Sequence, residues 1–123
     1  MRRLAGVLIP IETAILAVLL DLQLRGAAGA HGYAIAKAVQ DRTGATRLTG
    51  YGTLYKALER LERSAVVDSA WEHPEVAALE GRPRRRYYRI TAAGATALAE
   101  AERAAGSAAP GRVAARRAEA PST

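Results

Sequence analysis

Residues 49–62 read TGYGTLYKALERLE, and this stretch decides the fold. Leu54, Leu58 and Leu61 recur at helical spacing and predict the buried stripe of an amphipathic helix. Thr49 is a residue type that caps the first turn of a helix well. At about 100° per residue, the face opposite the stripe holds Gly52, Thr53, Lys56, Glu59 and Arg60. This polar face is the predicted surface for recognising another molecule.

A helix with two apolar stripes is predicted near the N-terminus. It begins at Pro10, which suits the first position of a helix, and ends at Gly26. One stripe consists of Ile11, Ile15, Val18, Leu19 and Leu22, and the other consists of Leu16, Leu20 and Leu24. Complete burial within the monomer would account for both stripes, but so small a domain has few other elements to surround this helix. We therefore expect a second subunit to pack on the stripe formed by Leu16, Leu20 and Leu24.

A shorter second helix is predicted over residues 31–42. The residues that indicate its inward face and its C-terminal end are Ile35, Ala38, Val39 and Gly44. Tyr33 and Lys37 lie one turn apart on the opposite face, so both are expected to point outward. His31 is interpreted as a helix-start or packing residue.

After the third helix the pattern changes to that of β-strands. Residues 65–72 and 85–91 contain Val, Tyr and Ile, and they are expected to pair as an antiparallel hairpin. Residues 73–84 between them contain two prolines and Gly81, which predicts a long mobile loop. Trp71, the only tryptophan, is interpreted as a packing residue.

The C-terminal part is expected to hold a fourth helix. Thr91 caps it, and it extends to about residue 105 with Leu98 as its only large apolar side chain. The predicted organisation is a flexible arm over 1–9, one domain over 10–105 and a disordered tail over 106–123.

Composition narrows the functional classes. The formal net charge is +6 and the sequence pI is about 10.3, which favour a polyanionic partner, either nucleic acid or an acidic membrane surface. The chain has no cysteine, so disulfides, thiolate metal sites and thiol redox sensing are excluded. Four scattered acidic residues are interpreted as solvated: Glu12, Asp21, Asp41 and Glu59. His31 and His73 lack a metal-ligand spacing, so we predict no cofactor, no metal site and no enzymatic activity.

The N-terminal segment is interpreted as part of the fold and not as an export signal. Glu12 interrupts the apolar stretch, and Asp21 and Arg25 precede the small residues that would form a cleavage site. The apolar run over 13–20 is far shorter than the roughly 20 residues needed to span a bilayer. We therefore expect a cytoplasmic protein that does not associate with membranes.

Three local motifs follow one another along this predicted order of elements. They are HGY at 31–33, TGYGTLYKALERLE at 49–62 and RRRYYRIT at 84–91, with Gly94 just after. Three helices and a hairpin describe an α+β, mainly α, winged helix-turn-helix fold. Together with that order, the motifs closely resemble the PadR family of bacterial transcriptional regulators over about residues 15–100.

The resemblance implies a homodimer that binds a palindromic operator in double-stranded DNA and usually represses transcription until a small-molecule effector relieves it. It also implies that the C-terminal helix, with Leu98, packs on the first helix of the other subunit. Two features depart from the family. Ala34 stands where a glutamate often follows the HGY motif, and the C-terminal helix is short and poor in large side chains.

The predicted DNA contact has two parts. Lys56 and Arg60 suit guanine or phosphate, and Thr53 suits a phosphate or a thymine methyl group. Tyr51 and Tyr55 fit core packing and phosphate contact equally well. The full set of predicted DNA-binding residues is Tyr33, Lys37, Thr49, Tyr51, Gly52, Thr53, Tyr55, Lys56, Arg60, Arg82, Arg84, Arg85 and Arg86.

The arginines of the hairpin form the second part of this contact. Arg82, Arg84, Arg85, Arg86 and Arg89 are dense enough to grip phosphates or to enter a narrow minor groove. Because strand side chains alternate, only part of the run can face DNA. Charged side chains can also simply keep the edge strand of a hairpin solvated and prevent aggregation, but this would explain only one or two of these arginines. The alternative function is a winged-helix module that binds an acidic protein and has incidental DNA affinity.

Overall fold

The structure is a computed structural model that describes residues 7–108. Its elements are α1 (Pro10–Leu24), α2 (Gly32–Thr43), α3 (Tyr51–Arg63), β1 (Val67–Trp71), α4 (Pro74–Leu79), β2 (Arg86–Ile90) and α5 (Ala92–Ala108). Three helices, a hairpin and a C-terminal helix follow one another as predicted, so the mainly helical winged fold is confirmed. Most of the predicted arm and most of the predicted tail lie outside the described residues.

The core lies between α1, α2, α3 and the inner face of the hairpin. Its fully buried side chains include Ile15, Leu16, Leu19, Ile35, Leu54, Leu58, Leu61 and Val67. The buried stripe predicted for α3 is confirmed. Each such large apolar side chain contributes about 1.5–3 kcal/mol through burial, so the core is what holds α3 against the rest of the domain.

The second apolar stripe of α1 is divided between the core and the surface. Leu16 is fully buried inside the monomer, and Leu98 of α5 is buried there as well, because α1 packs against α2, α3 and α5. Neither side chain offers surface to a second subunit, which corrects the prediction for these two residues. Leu20 is partly buried against the core, whereas Leu24 is 78% exposed.

The helix boundaries differ from the prediction at α3. The N-cap position of α3 is Gly50, which has extended backbone angles and no side chain to cap the helix. Thr49 lies one residue before it, so its predicted role as the N-cap is wrong. Gly44 ends α2 in a left-handed conformation with a φ of 73°, as expected for a glycine after a helix.

The two strands pair antiparallel, as predicted. Their register runs from Val67 opposite Ile90 to Trp71 opposite Arg86. A short piece of the α1–α2 connection joins the other edge of β2, where Ala30 exchanges two backbone hydrogen bonds with Tyr88 of 2.8 and 2.9 Å. The wing is therefore fixed to the chain segment that leads into α2.

The connection between the strands is not the long unstructured loop that was predicted. Residues Pro74–Leu79 form the short helix α4. Pro74 suits its first turn, and the Nδ1 atom of His73 accepts a hydrogen bond of 3.1 Å from the Glu75 backbone N–H. These local bonds give the connection a defined course.

The start of α5 is tied to the residues that lead directly into β1, Ala65 and Val66. The Thr91 hydroxyl accepts a hydrogen bond of 3.1 Å from the Gly94 backbone N–H, which confirms Thr91 as the cap. A Cβ atom at Gly94 would overlap the Val66 carbonyl oxygen, so the close approach requires glycine. The helix continues to Ala108, a little beyond the predicted end. Across the described residues, none of the helices combines the length and the hydropathy that crossing a bilayer requires.

Candidate nucleic-acid interface

The outward face of α3 carries exposed polar and aromatic side chains. Thr53 and Lys56 are exposed. Gly52, in the first turn of α3, is also exposed and has no side chain to cover the backbone there. Tyr51 and Tyr55 are about half exposed, with ring centroids 5.9 Å apart. The placement opposite the buried stripe is therefore confirmed, and both tyrosines lie at the surface and outside the core.

The second helix adds an exposed pair. Tyr33 and Lys37 are both exposed and one turn apart on α2, as their spacing predicts. Thr49 lies in the connection between α2 and α3 and is partly exposed. These three side chains thus remain accessible for contact with another molecule.

Arg60 is engaged inside the protein. Its Nε atom donates to Oε2 of Glu12 at 2.7 Å, and the Arg60 side chain is only about one third exposed. Glu12 is 1% exposed, which corrects its interpretation as a solvated residue. A carboxylate buried to this degree needs a charged or hydrogen-bonding partner, so Arg60 stabilises the packing of α3 on α1. Direct reading of DNA through Arg60 is therefore not supported.

Trp71 is exposed and not packed in the core. It stands at the end of β1 with 54% of its surface exposed, which corrects its interpretation as a packing residue. The guanidinium carbons of Arg84 and Arg86 lie 5.6 and 5.5 Å from the centre of its ring. Cation–π attraction of this kind restrains the two arginines beside the indole.

A cleft separates α3 from the wing. Its volume is about 290 Å³, and its lining residues are His31, Gly32, Tyr55, Trp71, Arg84, Arg85, Arg86 and Tyr88. The lining therefore combines three arginines with aromatic rings and contains no carboxylate. We name this feature the basic cleft. The sequence reasoning missed the parts of the cleft supplied by Gly32, Trp71 and Tyr88, although the HGY and RRRYYRIT motifs contain two of them.

Gly32 makes room for one wall of the basic cleft. A Cβ atom at Gly32 would overlap the Tyr55 hydroxyl and would lie 2.9 Å from its Cζ atom. The ring of Tyr55 thus lies across the first turn of α2 and also approaches Tyr88, with 6.4 Å between ring centroids. His31 packs edge-on against Tyr87 at 5.7 Å, which agrees with its interpretation as a packing residue at the helix start.

Arg82 is the arginine that departs most from the prediction. Its guanidinium forms two bonds with the carboxylate of Glu72, one of them 3.1 Å long, and its Nε donates to Glu80 at 2.8 Å. Only 19% of the side chain is exposed. Arg82 therefore stabilises the connection between α4 and β2, and its predicted role in DNA contact is not supported.

Acidic residues also pair with the arginines of β2. Arg86 donates to the Ser69 hydroxyl at 2.8 Å and lies 3.5 Å from the carboxylate of Glu62. Arg89, on the other face of the hairpin, pairs with Asp68 at 3.0 Å. The alternation expected along the strand is therefore seen, and much of the wing charge is balanced locally.

Two wing arginines form no direct ion pair with an acidic side chain of the described residues. The Nε atom of Arg84 donates to the backbone carbonyl of Glu72 at 3.2 Å, which is a neutral acceptor. Over residues 7–108, no acidic side chain forms an ion pair with Arg84 or Arg85. These two side chains are the strongest candidates for binding an external anion.

The pKa shifts reflect this local field. Burial and the nearby guanidinium groups of Arg85 and Arg82 lower the pKa of His31 below its usual 6.5. The hydrogen bonds from Arg82 lower the pKa of Glu72, so its carboxylate stays ionised at neutral pH. Burial raises the pKa of Tyr88 and keeps its phenol protonated. The basic cleft is therefore a region of positive potential with neutral aromatic walls.

A second groove lies along the outer face of the hairpin. It has a volume of about 470 Å³, and Trp71, Tyr87 and Arg89 contribute to its lining. Asp68 and Glu72 also line it, so it is more acidic than the basic cleft. Nowhere between residues 7 and 108 do three acidic or histidine side chains converge as metal ligands would.

Comparisons with known proteins agree with this geometry. A family model described as the Transcriptional regulator PadR-like family matches residues 19–100. Among curated proteins, none matches the chain. Solved structures do match, and several of them are described as transcriptional regulators or transcription factors.

A transcriptional regulator from Clostridium thermocellum is 25% identical, with a TM-score of 0.63 over 80% of this chain and 85% of that one. A PadR family transcriptional regulator from Eggerthella lenta is 28% identical, with a TM-score of 0.60 over 80% of this chain and 77% of that one. A PadR family transcription regulator from Clostridium difficile is also 28% identical, with a TM-score of 0.57 over 76% of this chain and 83% of that one. The family model covers most of the chain and the fold agrees, so this protein belongs to the PadR-like family of transcriptional regulators, which are not enzymes.

Proposed function

We propose that this protein binds double-stranded DNA in a sequence-specific manner and acts as a repressor. The observation that carries the proposal is the basic cleft between the exposed face of α3 and the wing. In a winged helix-turn-helix protein, the recognition helix enters the major groove and the wing reaches the neighbouring backbone or minor groove. A phosphate strand would then pass over the cleft, which Arg84 and Arg85 line and where neither forms a direct ion pair with an acidic side chain of the described residues.

The two parts of the surface would do different work. Lys56 is exposed on α3 and would donate to guanine O6 and N7 or to a phosphate, and Thr53 would contact a phosphate or a thymine methyl group. Arg84 and Arg85 would bind phosphates, which adds affinity but little sequence information. Tyr33, Lys37, Tyr51 and Tyr55 would supply further backbone contacts through their exposed polar groups.

The proposal includes a homodimer on a palindromic operator. Leu24 is exposed on α1 and Leu20 is only partly buried, so this side of α1 retains apolar surface for a second copy. Release by a small-molecule effector is also part of the proposal, and the groove beside Trp71 is the surface that favours it. Such a regulator would act in the cytoplasm.

Fluorescence anisotropy on an operator selected from a random DNA library tests this function. The unaltered protein should prefer the selected operator to random duplex at about 0.15 M salt, and its affinity should fall steeply as salt rises. Lys56→Ala should cost about 1–3 kcal/mol of operator binding, because one bidentate base contact is lost. Arg103→Ala on α5 removes the same charge from an exposed helix outside the proposed interface and should change binding little.

The alternative function, a protein-interaction module, predicts a different result. Under this alternative, the protein binds the operator and random duplex with equal affinity, and Lys56→Ala lowers the two affinities by the same factor. That outcome would contradict the proposed sequence-specific repressor.

A further inference from the structure

We infer that α1 is a frame that fixes the spacing between the recognition helix and the wing, with Glu12 and Gln23 as the positioning residues. The inference rests on the proposed DNA-binding function. It assigns a role in DNA reading to two side chains that do not contact DNA.

Glu12 connects α1 to the recognition helix α3. Its Oε2 atom accepts the hydrogen bond of 2.7 Å from Arg60 Nε, and its Oε1 atom accepts one of 3.1 Å from the Ile9 backbone N–H. The carboxylate is almost completely buried. Because hydrogen bonds are directional and a buried charge tolerates little displacement, this pair restricts how α3 can rotate or slide on α1.

Gln23 connects the other end of α1 to the wing. Its Oε1 atom accepts a hydrogen bond of 2.7 Å from the Ile90 backbone N–H, and its Nε2 atom donates to the Ile90 carbonyl oxygen at 3.4 Å. The amide thus bonds the edge of β2 as a neighbouring strand would. It holds the last residue of the wing at a fixed height along α1.

The two connections lie on the same side of one straight element. Gln23 follows Glu12 by eleven positions, which corresponds to about 16 Å along a helix and brings the two positions to within about 20° of the same face. Both lie inside the single helix Pro10–Leu24. The separation between the Arg60 anchor on α3 and the Ile90 anchor on β2 is therefore set by three turns of α1.

Apolar packing alone would hold these elements together less specifically. Leucine and isoleucine contacts contribute energy without fixing direction, so small shifts of α3 or β2 would cost little. Operator binding requires α3 and the wing to engage neighbouring grooves at the same time, whereas binding through phosphates alone tolerates such shifts. Loss of either connection should therefore reduce specific binding more than non-specific binding.

The experiment uses the full chain with Glu12→Gln and Gln23→Met. Each variant is measured by anisotropy on the selected operator and on random duplex, in the unaltered background and in an Arg84→Ala/Arg85→Ala background that disables the wing contact. Low salt is used so that the wing-disabled protein still binds. Asp21→Asn, an exposed acidic position on the same helix, is the matched control and should leave both affinities unchanged.

The expected results differ between the two positions. Gln23→Met should weaken operator binding about tenfold in the unaltered background and less than twofold in the wing-disabled one, because it acts through the wing. Glu12→Gln should weaken operator binding by a similar factor in both backgrounds, because it acts through α3. Gln23→Glu keeps the 2.7 Å bond to Ile90 N–H, so it should lose less affinity than Gln23→Met. It also serves as the test if Gln23→Met fails to fold, as judged by circular dichroism.

Two results would overturn the inference. One is a loss of operator affinity in Gln23→Met that is equally large in both backgrounds, which would indicate a general effect on stability. The other is operator binding that does not change in folded variants at either position. If the unaltered protein itself shows no preference for the operator, the proposed function fails. If it shows the preference and the variants match it, only the frame is disproved.

Discussion

Gly32 shows how a single absent side chain shapes the proposed DNA surface. It is the first residue of α2, and the phenol of Tyr55 lies over the space that a Cβ would occupy. Tyr55 is half exposed, so its ring can swing outward at little cost in core packing. A side chain at Gly32 should therefore change the shape of the basic cleft more than it changes stability.

We expect Gly32→Ala to weaken operator binding about fivefold, while the midpoint of thermal unfolding changes by only about 2 °C or less. The physical reason is displacement of the Tyr55 hydroxyl from the cleft. In a Tyr55→Ala background the same substitution should have no further effect, because nothing remains to be displaced. Operator affinity and thermal unfolding of the four proteins check the prediction, and additive losses of affinity would contradict it.

We expect His31 to make DNA binding depend on pH. Burial, followed by the charges of Arg85 and Arg82, lowers the pKa of His31 against the opposing influence of Glu72, so the imidazole is neutral near pH 7. A DNA phosphate in the cleft would favour the imidazolium and raise that pKa, so binding would take up a proton. A fall in pH has the opposite effect on the stability of the free protein. Because the pKa of His31 is lower in the folded state than in the unfolded chain, the free energy of unfolding decreases as the pH falls through about 6.5.

Operator affinity should therefore rise severalfold between about pH 7.5 and pH 6 at constant ionic strength. His31→Gln should remove most of this rise, because glutamine does not titrate. Anisotropy titrations at several pH values measure it, and circular dichroism confirms that the protein remains folded at the lowest pH. A rise of equal size in the glutamine variant would show that another group takes up the proton.

Some side chains were misread from the sequence because their partners are distant in the chain. Glu12 looked like an isolated surface acid, yet it meets Arg60 across 48 positions. Helical periodicity gives the face on which a residue lies, but it does not give the charge that faces it from another element. The same limit applies to Gln23, for which the sequence analysis predicted no role and whose partner Ile90 lies 67 positions away.

Among the elements, the helices were predictable and the wing was predictable only in outline. α1, α2 and α3 have strong apolar periodicity, Gly44 ends α2 and Thr91 caps α5, as expected. α4 has only six residues, too few for a periodic pattern to appear. Its signal was the dipeptide His73-Pro74, a side-chain cap followed by a proline in the first turn.

The wing also shows why a count of arginines overestimates a DNA contact. Arg82, Arg86 and Arg89 each meet an acidic side chain, and these acids lie as far away as Glu62 on α3. The run of basic residues was visible in the sequence, but the pairing depends on the fold. Among the arginines of the wing, Arg84 and Arg85 are the two that form no direct ion pair with an acidic side chain of the described residues.

This division of the wing can be tested with single substitutions. Arg85→Ala should weaken binding to all duplexes and reduce the slope of log affinity against log salt by about 0.9, since one phosphate contact is lost. Arg82→Ala should leave that slope nearly unchanged and should instead speed hydrogen exchange in the connection over residues 72–85, because the bonds to Glu72 and Glu80 are lost. A salt slope that falls more in the Arg82 variant than in the Arg85 variant would reverse the assignment.

At the scale of the whole molecule, the proposed dimer depends on a small area of α1. Leu16 and Leu98 are buried in the monomer and cannot contribute, so the apolar surface left for a partner centres on Leu24 with part of Leu20. Leu24 is the cleaner position to alter, because Leu20 also packs against the core and its loss would destabilise the monomer. A palindromic operator has two half-sites and needs two paired subunits to fill them. Operator binding is therefore a sensitive measure of this interface.

Leu24→Arg should shift the protein from dimer to monomer in sedimentation velocity, because a charged side chain in an apolar interface leaves an unpaired buried charge. Binding to the full palindrome should weaken at least tenfold, whereas binding to an isolated half-site should stay within twofold, since each reading surface remains intact. Leu79→Arg on α4 is the matched control, because Leu79 is 88% exposed and lies at the tip of the wing connection. If the Leu24 variant remains a dimer, this side of α1 does not form the interface, and another part of the chain must pair the two DNA-binding surfaces.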